Sequence, residues 1–330
     1  YKITTYKTQS TSYYDFFHYL IFTLQKSFSI VEYTYIMSIT RQNLSVVIVS
    51  FKSDHVIHKC INSIDIETEI IVIDNSNNIE FKRTIEKKYK NVKCILSPVN
   101  IGMGAGNNLG IKNLNKDFAL ILNPDVILKD NSIDELINSI SLIESFGIIA
   151  PISDNLEYPN FKLNKNNNHQ FDSNNPFKVK SVDGYAMLLN LKKLRALDQF
   201  NIFDENFFLY LENEDLCERL NKRKINMYIV PKSKITHLGG EAVDPKYRNE
   251  IELSRNWHWM WSKFYFNKKH YGYLIACQKV MKNLFSAIIK FIYYFITFNN
   301  YKRKIYQMRL FGLLNSMIGR KSFYRPKLND

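Results

Sequence analysis

From Leu44 onward, short apolar runs alternate with segments whose apolar residues recur every three or four positions. That alternation predicts an α/β fold, a largely parallel sheet covered by helices. LSVVIVSF (44–51) reads as a buried strand, Asp54 caps a helix running to Ile64, and EIIVIDNS (69–76) and VKCIL (92–96) are the next two strands. MGAGNNLGIKNL (103–114) reads as a helix with a glycine-rich entry, followed by the strand DFALILN (117–123). The Asn-rich stretch 153–175 lacks apolar periodicity and reads as a surface loop. Sheet character returns in VDGYAMLLN (182–190), a helix follows over 214–223, and NMYIVP (226–231) is a strand reaching ITHLGG (235–240). Beyond Arg248 the pattern is helical to about residue 319, and no internal repeat is present.

Residues 1–36 have no charge-free hydrophobic run, and the best apolar stretch, 16–37, is broken by His18, Gln25, Lys26 and Glu32. Neither a signal peptide nor a membrane span is expected there. Met37 stands just before the first clear strand, which predicts it as the natural start, with the preceding residues a fragment or translated leader. Four widely spaced cysteines (Cys60, Cys94, Cys217, Cys277) match neither a zinc site nor a disulfide scaffold and fit a reducing cytosol.

The formal charge of +14 changes the picture only once it is located. Residues 256–330 hold 14 Lys plus Arg against one acid, so almost all of the excess lies in the tail. Within it, 274–298 is strongly apolar, with Lys279, Lys282 and Lys290 as its charges. Such a segment predicts a helix lying in an anionic membrane interface, with packing on the preceding domain as the alternative. A nucleic-acid-binding reading of the basic tail finds no RNA-recognition, zinc or helix-turn-helix motif.

In open α/β sheets ligands bind outside the carboxyl ends of the strands, so polar residues there are the candidates. NPDV (123–126) offers Asn123 and Asp125 at a strand end, suited to a hard divalent ion or to a plain turn. VNIGMGAGNNLG (99–110) is glycine-rich, but a dinucleotide fingerprint belongs after the first strand, where SFKSDH has no glycine. The same loop also argues against a nucleotidyltransferase. Glu212, Glu214 and Asp215 at a helix entry suit either capping or general-base catalysis. His237, in ITHLGG, suits a structural role or a further ligand to an ion held by Asp125.

Taken in order, the SF at the first strand end, IDNS, NIGMGAGNNLG, NPDV, VDGYAMLL, FDENFFLYLENEDLCERL and THLGG resemble the family 2 glycosyltransferases, particularly their rhamnosyltransferase-like branch. The resemblance covers about residues 44–265. It implies a GT-A type, Rossmann-like mixed sheet with a C-terminal helical extension, divided as an N-terminal extension (1–43), a catalytic domain (44–265) and a basic amphipathic tail (266–330). It implies a nucleotide-sugar donor with a pyrimidine base, dTDP-rhamnose or a UDP-sugar, and a glycan or lipid-linked acceptor. Val49, Ser50 and Phe51 match the strand end along the nucleoside, and Asp74 the acceptor of the base imide N–H. Asn100 and Gly102 match the donor pocket, and Asn123 and Asp125 the Asp-x-Asp metal motif with Asn in first place. Asp183 and Gly184 match the strand bordering the reacting sugar and acceptor, His237 a late metal or diphosphate contact, and Arg255 is placed to clamp the diphosphate. In many relatives the acidic motif supplies its base from the position held here by Asn213, and an amide takes no proton. The base is therefore expected at Glu212 or Asp215, with Glu214 behind them, and Asn213 keeps an inactive scaffold as an alternative. The implied reaction is a single inverting displacement assisted by Mg²⁺ or Mn²⁺. From the cysteine usage and the basic apolar tail, the expected location is cytoplasmic, peripheral on the inner face of the membrane.

Overall fold

The computed structural model describes residues 39–155, 157–163, 174–197 and 201–328, and Arg41–Asp330 form one compact unit. The expected start at Met37 and the apolar stretch 16–37 lie outside the described residues, as does most of the Asn-rich stretch after 163.

The strands are β1 (Leu44–Ser50), β2 (Glu69–Asp74), β3 (Val92–Leu96), β4 (Phe118–Leu122), β5 (Val126–Leu128), β6 (Ile148–Ser153), β7 (Phe161–Lys162), β8 (Phe177–Val179), β9 (Ser181–Val182), β10 (Ala186–Asn190) and β11 (Met227–His237). The helices are α1 (Asp54–Asn62), α2 (Ile79–Lys88), α3 (Met103–Lys112), α4 (Ser132–Leu142), α5 (Leu191–Arg195), α6 (Glu212–Lys222), α7 (Arg248–Tyr271), α8 (Tyr273–Ile296) and α9 (Asn300–Met317).

Among the described residues, the main sheet runs β3-β2-β1-β4-β10-β6-β11-β5, with β8 also on β11. Its first four strands are parallel, and β10 enters antiparallel to both β4 and β6. Every residue of β1 and β4 is buried. A strand covered on both faces must be apolar throughout rather than alternating, which is why these two were legible as unbroken runs. The stretch 182–190 is not one strand: β9 and β10 are separated at residues 183–185, and this break turns Asp183 and Gly184 out of the ladder. β11 is longer than the sequence suggests because a register shift between Val230 and Lys234 absorbs Pro231 as it leaves the β8 pairing.

The glycine-rich helix α3 owes much of its composition to packing. A Cβ on Gly106 would stand 2.8 Å from Val49, and one on Gly110 would stand 2.4 Å from Val47. These glycines therefore let the helix lie directly on β1 rather than approach a ligand.

The C-terminal helices form their own small core, with Met260 and Phe264 of α7, Ala276 and Val280 of α8, and Leu313 of α9 all buried together. The division expected at 265/266 falls inside α7. The far side of α8 remains exposed and apolar, and no helix among the described residues is long and apolar enough to cross a membrane.

Candidate functional site

The carboxyl ends of β1 and β4, the entry to α3, the β9–β10 break, the entry to α6 and the first part of α7 enclose one cavity of about 720 Å³. That volume lies within the range of small-molecule sites. Of the residues expected from sequence, Phe51, Asn100, Gly102, Asn123, Asp125, Asp183, Gly184, Glu212, His237 and Arg255 all line it, as does Val49. Ser50, Asp74 and Asp215 do not.

Backbone pairing brings Asp125 and His237 together. β5 follows Asp125 immediately and pairs antiparallel with β11, so that Val126 sits opposite His237, and Leu238 N donates to Asp125 O at 3.0 Å. His237 Nε2 then lies 3.5 Å from Asp125 Oδ1, and its ring stacks on Tyr185 with centroids 3.9 Å apart. Asp125 is only 2% exposed, yet its Oδ1 has no hydrogen-bond partner, and neither has Asn123 Oδ1. Buried carboxylate oxygens ordinarily find a donor or a cation. NPDV forms a turn, closed by Val126 N to Asn123 O at 3.1 Å, and this turn leaves Asn123 and Asp125 on the cavity wall. Among the described residues no group of three or more His, Cys, Asp or Glu side chains surrounds a point. Asp125 and His237 are the two such side chains that meet here.

The α6 entry separates its acids by environment. Tyr210 and Leu211 both take left-handed backbone conformations (φ 70° and 68°), which cost energy for residues other than glycine and present Glu212 to the cavity. Glu212 Oε2 is buried without a partner, and burial pushes the carboxyl up to about 7 from its ordinary 4.5. Asp215 is fully buried behind it, accepting from Arg219 Nε at 2.9 Å and meeting His270 Nε2 at 2.8 Å and Lys269 Nζ at 2.7 Å. A carboxylate so paired anchors α6 to α7 and faces away from the cavity. Asn213 Nδ2 donates to Val182 O at 3.0 Å, which ties the helix to the end of β9. Glu214 reaches the cavity paired with Lys162, and burial followed by the nearby Glu214 raises the carboxyl of Asp183.

The nucleoside-side expectations divide similarly. Asp74 is 1% exposed and accepts from Ser76 N at 3.0 Å and Asn78 N at 2.8 Å, so its carboxylate shapes the loop after β2 while Asn75 lines the cavity. Ser50 is buried, and its carbonyl accepts from Asn75 N. Asn100 Oδ1 accepts from Gly102 N at 3.0 Å, and Gly102 adopts φ +86° with its missing Cβ only 2.2 Å from Phe208 O. Only glycine satisfies both conditions.

Lys162, Tyr185, Phe208, Tyr210, Trp259 and Pro326 also line the cavity and had not been anticipated. Tyr185 was within reach, two residues past Asp183 at a strand break. Pro326 carries no local signal, since its place depends on how the C-terminal helices return.

A sheet of this order, with its acidic turn and helix entry facing one cavity, defines a GT-A fold. It is similar to the mannosyltransferase PcManGT from Pyrobaculum calidifontis, solved in complex with GDP-Man and Mn²⁺, at TM-score 0.51 and 9% identity over 87% of this chain and 92% of that one. The profile described as glycosyl transferase family 2 matches residues 45–195. The low-salt glycan biosynthesis hexosyltransferase Agl10 of Haloferax volcanii is 28% identical over 203 residues, covering 56% of this chain and 64% of the relative. The N-acetylglucosaminyl-diphospho-decaprenol L-rhamnosyltransferase of Mycobacterium tuberculosis is 24% identical over 231 residues, covering 59% and 75%. Rhamnosyltransferase WbbL of Escherichia coli is 26% identical over 216 residues, covering 56% and 80%. Residues 45–195 thus resemble glycosyl transferase family 2, and the chain is similar to hexosyl- and rhamnosyltransferases.

Proposed function

We propose that this protein transfers a sugar from a nucleoside diphosphate donor to a hydroxyl of a glycan or lipid-linked acceptor, with inversion at the anomeric carbon. The observation that carries the reading is the convergence of Asp125, His237 and a partly buried Glu212, whose Oε2 has no partner, on one cavity. dTDP-rhamnose or a UDP-sugar is the proposed donor, on the likeness to rhamnosyltransferases. Phe51, Asn75, Asn100 and Gly102 would receive the nucleoside. Asp74 could take the base imide N–H only by giving up a loop hydrogen bond, which makes Asn75 the nearer polar contact.

Asp125 and His237 would hold Mg²⁺ or Mn²⁺, and the ion would neutralise charge on the departing diphosphate. Arg255, on the α7 wall, would pair with a phosphate oxygen. Glu212 is the proposed base. A carboxyl with its pKa near 7 is half ionised at neutral pH and is a stronger proton acceptor than an ordinary glutamate. Asp183, Gly184 and the Lys162–Glu214 pair border the side from which an acceptor hydroxyl would approach. Incubation with a panel of nucleotide sugars and Mn²⁺, reading release of the nucleoside diphosphate, tests this. Turnover confined to pyrimidine donors is expected, and no turnover or binding across the panel would remove the proposal.

The tail would dock on an anionic membrane. α8 exposes Leu274, Met281, Phe285, Ile289, Ile292 and Ile296, flanked by Lys279, Lys282 and Lys290, and the chain has no acid between Glu252 and Asp330. Apolar side chains can enter the acyl boundary while lysines meet headgroups. This would place the enzyme at the cytoplasmic face, where a lipid-linked acceptor is presented.

A further inference from the structure

Beyond α9 the chain leaves regular structure and returns along α7. Its return is tightly specified. A Cβ on Gly312 of α9 would stand 2.1 Å from Trp257 O of α7, so the two helices cross in backbone contact, and that crossing fixes where the segment emerges. Trp261 Nε1 then donates to Arg320 O at 3.0 Å. Trp257 meets Phe323 edge-on at 5.3 Å and stacks with Tyr324 at 5.9 Å.

His258 is wholly buried between the segment's backbone and side chains. Its Nε2 lies 2.9 Å from Tyr324 O, and its Nδ1 lies 2.9 Å from Ser322 Oγ. A carbonyl can only accept, so Nε2 carries the hydrogen and Nδ1 accepts from the Ser322 hydroxyl. Burial drives the imidazole down to about 3, which keeps this arrangement neutral. These contacts deliver Pro326 to the cavity and set Arg325 beside the Asn100 and Phe208 that line it.

Arg325 Nε donates to Asn100 O at 3.2 Å, and its Nη1 donates to Ser322 O at 2.9 Å and Tyr324 O at 2.8 Å. Its guanidinium lies 3.7 Å from the Phe208 ring centroid, over a ring whose other neighbour is His258 at 4.4 Å. Asn100, Phe208 and Pro326 all line the cavity. One cation thus joins the loop before α3, the aromatic wall and the C-terminal segment. Only a planar fork can reach several carbonyls while lying on a ring, so lysine would not replace it.

We propose that residues 320–326 brace the donor end of the cavity, with Pro326 on its wall, and that Arg325 is a positioning residue for the nucleotide. It acts by holding Asn100 and Phe208 where they meet the ligand, and so removes the ordering cost from binding. The inference rests on reading the cavity as a nucleotide-sugar site. It also makes the C-terminal helices part of the site, since they set the path of the segment.

The test is titration calorimetry of UDP, dTDP and GDP, each with Mn²⁺, against the full chain, Arg325→Ala and Arg325→Lys, with a melting temperature for each protein. The full chain is expected to bind at least one of the three. Arg325→Ala should weaken that binding about tenfold, with its melting temperature little changed, and Arg325→Lys should fail to restore it. If Arg325→Ala does not fold, Arg325→Lys reads the same loss, since it keeps the charge and removes the fork. Equal affinity in the full chain and the folded variants overturns the proposal while leaving the donor reading intact. Affinity that holds while the melting temperature falls marks a purely structural tie and overturns it too. No binding to the full chain removes the donor reading and this inference with it.

Discussion

Replacing Glu212 by Gln should give opposite effects on stability and activity, and both follow from one buried carboxyl. Moving its pKa from 4.5 to about 7 corresponds to about 3 kcal/mol at 1.36 kcal/mol per unit. The folded protein binds this proton more tightly than the unfolded chain does. Its contribution to stability is therefore fully present below pH 4.5 and is lost as pH rises through 7. Gln fills the same space and never ionises. The variant's stability relative to the parent should thus improve by about 2–3 kcal/mol between pH 4.5 and pH 8.5, partial exposure reducing the full figure. Urea unfolding of both proteins at the two pH values measures this, and comparing the differences cancels other titrating groups and any change in hydrogen bonding. Activity should fall about 10²–10⁴-fold in the variant, and the parent's rise in rate through pH 7 should disappear. A stability difference that is the same at both pH values would refute the argument that Glu212 is held in an environment hostile to its charge.

Asp125→Asn should keep its fold, with a melting temperature within a few degrees of the parent, because the carboxylate Oδ1 has no partner to lose. It should, however, lose Mn²⁺-dependent nucleotide binding by calorimetry. Gly102→Ala combines a φ of +86° with a 2.2 Å approach to Phe208 O and should destabilise the protein by about 2–4 kcal/mol in urea unfolding. Phe285→Glu places a charge on the exposed apolar side of α8 and should reduce sedimentation with anionic vesicles without shifting the melting temperature. Equal sedimentation of variant and parent would count against membrane docking.

The parallel half of the sheet was legible because strands buried on both faces leave continuous apolar runs, as in β1 and β4. Helix α2 escaped detection because its mean character is polar and only Phe81 and Ile85 are buried. β5 and β8 are three residues each, too short for any period to register. At the site, the motif residues of strand ends and helix entries were recoverable, since local chain geometry sets them. Asp215 shows what was not. It stands three residues from Glu212 in the same acidic run, yet Lys269 and His270 of α7 capture it. Which acid of a cluster meets a ligand is decided by partners more than fifty residues away, and no local pattern encodes that. Arg325 and Pro326 are the same case at greater distance.

In the proposed function, one cavity would hold a cation-bridged diphosphate between Asp125 and His237 with Glu212 nearby. Its most direct test is anomalous diffraction at the manganese edge from crystals grown with Mn²⁺ and whichever nucleoside diphosphate binds in solution. A single strong peak within bonding distance of Asp125 and His237, bridged to the diphosphate, is the expected result. A manganese peak elsewhere, or a nucleotide bound away from the ends of β1 and β4, would contradict the account.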